Sequence, residues 1–254
     1  MPSQRVTRFT LRPFLPLLAL GITLSASVAQ AQVLPGGQLR VLPLGDSITY
    51  GSRGINGGYR LPLERDLSPL VNFRFVGSIT GNSIDMKYKN HEGHPGWTIT
   101  DYLGETRRPT GGRFVGGSCP VANFVKSARP DVVLLMIGTN DGAIPQAEFE
   151  RRYRRMLGYI YQAAPNAGVV FALTLTKDKN DNGAFIRASH AAGKKVAAEF
   201  ALQGRSIIVV NPSVGFNPAT MTTDGIHPSK AGYEQLSRSF LAGLTLMYPG
   251  SLLR

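Results

Sequence analysis

Cysteine is almost absent: the 254-residue chain has one, Cys119. A single cysteine excludes an internal disulfide, so the hydrophobic core has to carry the stability. Cys119 itself reads as a small buried residue, since no histidine flanks it to activate a thiolate. Histidines number only four, and His91 and His94 make a pair with no third ligand at a recognised metal spacing. Acids are scarce too, 16 against 28 lysines and arginines, a formal charge of +12. Such a balance favours anionic partners. No nucleic-acid-binding module is recognisable, however. The densest cluster, Arg151-Arg152-Tyr153-Arg154-Arg155, lies in a helical pattern and reads as a solvated face. Beyond the N-terminus, no apolar run approaches the roughly 20 residues that a membrane span needs.

The first 31 residues carry targeting features instead. Arg5, Arg8 and Arg12 precede an apolar stretch from Phe14 to Leu24, and Ala29-Gln30-Ala31 has the small-x-small form of a cleavage site. This is the pattern of a secretory signal, residues 1–31. The expectation is an exported domain, residues 32–254, of net charge +9 once those three arginines are removed. It would be extracellular or periplasmic, monomeric, with no nucleic-acid partner and no stable membrane association.

Within that domain, short apolar runs alternate with helical patterns. Val41–Leu44, residues 72–77, Asp131–Ile137, Gly168–Thr174 and Ile207–Val210 read as strands. Tyr59–Leu70, Val121–Ala128, Glu148–Ala164, Phe185–Gln203 and Ser229–Met247 read as helices, and Thr98–Leu103 as a short one. Alternation of this kind predicts a parallel sheet covered on both faces. The fold class is therefore α/β, a three-layer α/β/α, doubly wound, flavodoxin-like sheet of about five parallel strands in a single domain.

Chemistry-bearing residues follow the strand ends. Gly45-Asp46-Ser47 leaves the first strand, with Gly45 giving the backbone freedom for a sharp turn and Ser47 opening a helix. Gly138-Thr139-Asn140-Asp141 leaves the third, and Asp224-Gly225-Ile226-His227 follows the last. The carboxyl ends of parallel strands share one edge, so these groups can converge there. Serine needs an adjacent base to become a nucleophile. His227 can supply it, and Asp224 can accept from the other ring nitrogen. Asp46 and Asp141 read as loop-fixing hydrogen bonders, His190 as a surface residue and Trp97 as a core side chain more than a sugar platform.

These blocks, in order and across residues 45–227, resemble the SGNH (GDSL-type) hydrolase family: Gly45-Asp46-Ser47-Ile48-Thr49, Gly96 within His94-Pro95-Gly96-Trp97, Gly138-Thr139-Asn140-Asp141 and Asp224-Gly225-Ile226-His227. The wording of the loops, including Glu92-Gly93-His94-Pro95-Gly96-Trp97 and Asp224-Gly225-Ile226-His227-Pro228, is most similar to carbohydrate esterase family 3, the acetylxylan esterases. The resemblance implies a catalytic set of Ser47, Asp224 and His227 and an oxyanion hole from the Ser47 and Gly96 backbones and the Asn140 amide. It implies no cofactor and no metal, and an acetylated polysaccharide as substrate; His91 and His94, by their nearness to Gly96, and Trp97, as an aromatic able to stack on a sugar, are candidate contacts. A lipid or aryl esterase, or a deacetylase of another glycan, would use the same set. A non-catalytic basic glycan-binding protein is the alternative outside enzymes. Asp178, Asn180, Asn182 and Gly183 also match the opening of an EF-hand loop. Its twelfth position is Ser189 instead of the bidentate glutamate, so the stretch reads as a polar loop.

Overall fold

A computed structural model describes residues 37–105, 119–176 and 183–250. The N-terminal signal and most of the Asp178–Gly183 loop lie outside these residues. In chain order the elements are β1 (Leu39–Gly45), α1 (Ser47–Tyr50), α2 (Arg60–Leu67), β2 (Phe73–Phe75), β3 (Glu92–Gly93), α3 (Ile99–Tyr102) and α4 (Pro120–Ala128). There follow β4 (Val132–Met136), α5 (Gln146–Ala163), β5 (Gly168–Ala172), α6 (Ala184–Leu202), β6 (Ile207–Val210), α7 (Pro218–Met221) and α8 (Lys230–Met247).

The strands form one parallel sheet in the order β2-β1-β4-β5-β6, the doubly wound order expected. A sixth strand is added to the expected five. The two-residue β3 pairs with Leu44 and Gly45 at the end of β1, on the edge that β2 has left after Val41. Alternation along the strands divides the core in two. Leu42, Leu44, Val133, Leu135, Val169 and Phe171 pack with α3, α4, α5 and α6, whereas Val41, Val132, Leu134, Met136 and Val170 pack with α2 and α8. All are fully buried, which is why β4 and β5 read as unbroken apolar runs rather than alternating ones.

Pro43 sits within β1 although it has no N–H to give. Leu39 N donates to Asn72 and Val41 O accepts from Val76, so the odd-numbered residues of β1 address the β2 side. Pro43 falls in the gap between the β2 and β3 pairings, where no ladder bond is asked of it.

Gly45 corrects the reason expected for a glycine there. Its φ is not positive. The constraint is space: a Cβ would lie 2.1 Å from Met136 O and 2.5 Å from Thr49 Oγ1. Both neighbours belong to packed elements that cannot withdraw cheaply. Gly45→Ala is therefore expected to cost about 1–3 kcal/mol or more, measured as a fall in urea midpoint. A variant of unchanged midpoint would show that β1 and β4 can separate.

Candidate active site

Ser47, Asp224 and His227 come together as a hydrogen-bonded row. His227 Nε2 lies 2.9 Å from Ser47 Oγ, and His227 Nδ1 lies 2.8 Å from Asp224 Oδ2. A carboxylate accepts only, so the ring proton sits on Nδ1 and Nε2 is left to accept from the serine hydroxyl. This is the tautomer a general base requires.

Each member is fixed locally. Asp46 caps α1, its Oδ1 accepting from Ile48 N at 2.9 Å, and thereby sets the turn that presents Ser47. With four residues, α1 is a single turn, so its dipole is short and the backbone N–H of Ser47 matters more than the helix behind it. Asp224 Oδ1 accepts from the backbone N–H of Ile226 and of His227, closing an Asx-type turn. The turn is clamped where Thr223 N donates to His227 O and Ser229 N to Met221 O. Burial raises the Asp224 carboxyl, but hydrogen bonds from the His227 backbone and ring and from Ile226 outweigh it, leaving the group below its ordinary range and ionised.

The second wall of the site is the turn after β3. Gly96 adopts φ +77°, a left-handed conformation that suits glycine. Asn140 Nδ2 donates to Trp97 O at 2.9 Å, so one amide hydrogen docks the residue on that turn while the second is not committed to Trp97. His94 N donates to Gly45 O at 2.8 Å, which ties the same turn to the strand that delivers Ser47. Asp141 stands behind it, its Oδ2 accepting from Ile99 N and its Oδ1 from Arg152 Nη1. It is a loop fixer, as expected from the sequence.

The candidate contacts divide. His91 is 0% exposed, with Nε2 3.0 Å from Gly81 O and Nδ1 accepting from Gly93 N. Both ring nitrogens are used inside the protein, so His91 is a buried structural residue and not a substrate contact. Burial and the nearby Arg60 hold it neutral, at about 3. His94 and Trp97 are half-buried, their rings stacked 4.0 Å apart, and His94 Nε2 meets Glu92 Oε2 at 3.0 Å. They form the edge of the turn that carries Gly96. His190 is half-buried with Nε2 2.8 Å from Thr174 O, not a surface residue. Cys119 is half-buried and its thiol donates to Tyr102 O. Among the described residues, no three His, Cys, Asp or Glu side chains are gathered as metal ligands.

Three supporting residues have a role that the sequence does not assign. Glu92 is buried and accepts from the Ser78 backbone and hydroxyl. Tyr102 Oη lies within donating distance of both Gly45 O and Glu92 O. Arg60 is fully buried and donates to the carbonyls of Thr49, Tyr50 and Asn82 and to the Ser83 hydroxyl. Its guanidinium closes the C-terminal end of α1 and holds the 78–91 loop against it.

Comparison with known proteins adds kinship. The GDSL-like Lipase/Acylhydrolase family matches residues 44–235. A multidomain esterase of Ruminococcus flavefaciens is 29% identical over an alignment of 249 residues that covers 88% of this chain. The chain spans about a third, 32%, of that relative's length. A family 3 carbohydrate esterase of Clostridium thermocellum is 26% identical, with a TM-score of 0.66 over 82% of this chain and 96% of that one. An acetylxylan esterase of Geobacillus stearothermophilus, 19% identical, shares the fold at a TM-score of 0.59 over 84% of this chain and 96% of its own.

Burial raises the Asp46 carboxyl from 3.8 to about 6, against the hydrogen bonds from Ile48 and Thr139 and the charge of His227. The folded state thus holds this proton more tightly than the unfolded chain. The group's contribution to stability is greatest below 3.8 and declines as the pH rises through about 6. Asp46→Asn keeps the capping oxygen and does not titrate. Its stability relative to wild type is expected to improve between about pH 4 and pH 7, read by urea unfolding at both. A pH-independent difference would contradict the assignment.

Proposed function

The chain belongs to the GDSL-like lipase/acylhydrolase family; from there we propose that it is a carboxylic-ester hydrolase, an exported serine esterase that removes acetyl groups from plant polysaccharide, acetylated xylan above all. The observation that carries this is the bonded row Ser47–His227–Asp224, with the Gly96 turn on which Asn140 is docked tied to the strand that delivers Ser47. Likeness to a carbohydrate esterase at 26% identity supports the glycan as acyl carrier. The signal-like N-terminus supports export. Among the described residues no helix is long and apolar enough to cross a membrane.

In this reading Ser47 Oγ attacks the ester carbonyl as its proton passes to His227 Nε2. Asp224 stabilises the imidazolium so formed. The oxyanion is met by the backbone N–H groups of Ser47 and Gly96 and by the second amide hydrogen of Asn140. Collapse breaks the bond to the sugar oxygen, which leaves as a hydroxyl with the proton from His227. Water then attacks the acetyl-serine with His227 again as base, releasing acetate and restoring Ser47.

Acetate release from acetylated xylan, beside an aryl acetate, tests the proposal. Ser47→Ala is expected to abolish both activities, and full retention would overturn the mechanism. Asn140→Ala is expected to lower kcat by about 100- to 1000-fold with the fold intact. Preference for long acyl chains over acetyl would point to a lipid esterase instead.

A further inference from the structure

Arg53 stands beside the catalytic row. Its side chain is 71% exposed, and its Nε lies 3.4 Å from Asp224 Oδ2, the oxygen that accepts from His227. That separation is beyond a strong hydrogen bond. Among the described residues it is the one ion pair the guanidinium makes. Asp224 already accepts from the Ile226 and His227 backbones and from the His227 ring. One acceptor site of the carboxylate is left for Arg53, and the rest of the exposed guanidinium is held by no other ion pair among the described residues.

The backbone beneath Arg53 is unusual. Its φ is 57°, a left-handed conformation rare for a residue with a side chain. Glycines occupy positions 51, 54, 57 and 58 of the same loop, yet an arginine takes this one. Its neighbours hold it there. Ser52 N donates to Ser47 O, and Ser52 O accepts from Tyr233 Oη. Gly54 is pressed so close to α8 that a Cβ would sit 2.2 Å from Tyr233 Cε2. Strain that its surroundings over-determine in this way gathers at ligand clamps.

We infer that Arg53 is a specificity-determining residue whose guanidinium receives a carboxylate carried by the acetylated substrate, so that the enzyme favours acetylated glycan bearing uronic acid over neutral glycan. The planar fork of N–H groups matches a carboxylate in two parallel hydrogen bonds. The cationic surplus, a net charge of +9 in residues 32–254, draws a polyanion toward the surface. The inference rests on the reading that this site deacetylates glycan.

The test compares acetylated xylo-oligosaccharides of equal length and acetylation, with and without a uronosyl substituent, on the full chain and on Arg53→Gln, Arg53→Glu and Arg53→Lys. The kcat/KM ratio of acidic to neutral substrate is expected to fall about three- to fivefold in Arg53→Gln, the scale of an exposed ion pair. It should fall further in Arg53→Glu and be partly kept in Arg53→Lys, with the change carried in KM and reduced by salt. An unchanged ratio overturns the inference, as does an equal loss on both substrates, which would make Arg53 a support for Asp224 alone. Wild-type enzyme that cleaves aryl acetate and neither oligosaccharide overturns the glycan reading, and this one with it.

Discussion

Gly45 is where three segments meet with no side chain between them. Its Cα faces Met136 O of β4 and Thr49 of α1, and its carbonyl accepts from His94 N of the turn after β3. Those segments supply Ser47, the nucleophile of the proposed mechanism, the strand that leads to Asn140, and the turn that carries Gly96. Their close approach decides whether the Ser47 and Gly96 N–H groups and the Asn140 amide can address one small oxyanion. Displacing such donors by even 1 Å can cost about a hundredfold in rate. The absence of a Cβ at residue 45 is thus a structural fact with a chemical consequence.

Around that point the polar groups are satisfied in pairs. Glu92 takes the Ser78 backbone and hydroxyl and meets His94, and Tyr102 bridges Glu92 O and Gly45 O. Asp141 joins Ile99 N to Arg152. Arg60 closes the other end of α1 on carbonyl oxygens. Burial lowers its guanidinium to about 10, still charged at neutral pH. Groups buried like this specify geometry because any slippage would strand a donor or acceptor in an apolar interior. The triad lies at the open side of that framework, with Asp224 partly exposed and held by its own turn.

Most of this was legible in the sequence where a residue's role is periodic or local. The long helices and the buried strands follow from apolar spacing, and the parallel sheet covered on both faces follows from their alternation. The Asp224–His227 pairing follows from a three-residue spacing that folds into an Asx turn. Two elements left no trace: β3 has two residues and α7 four, too few for any period to show. The need for glycine at residue 45 has a cause that local sequence does not show, because steric exclusion by Met136 O depends on a neighbouring strand 91 residues away. Nearness to Gly96 in sequence points His91 toward substrate, but the chain entering β3 turns it inward. Arg60 gave no signal at all, since a buried arginine and a surface one look alike in a helical pattern.

The central claim is that Ser47, activated by His227, is the nucleophile. The most direct measurement is labelling with a fluorophosphonate, followed by mass spectrometry of the digested protein. The account predicts one phosphonyl group per chain, on the peptide containing Ser47, with activity lost in proportion and labelling greatly slowed by His227→Ala. Labelling at another serine, or full activity after Ser47 is modified, would contradict it.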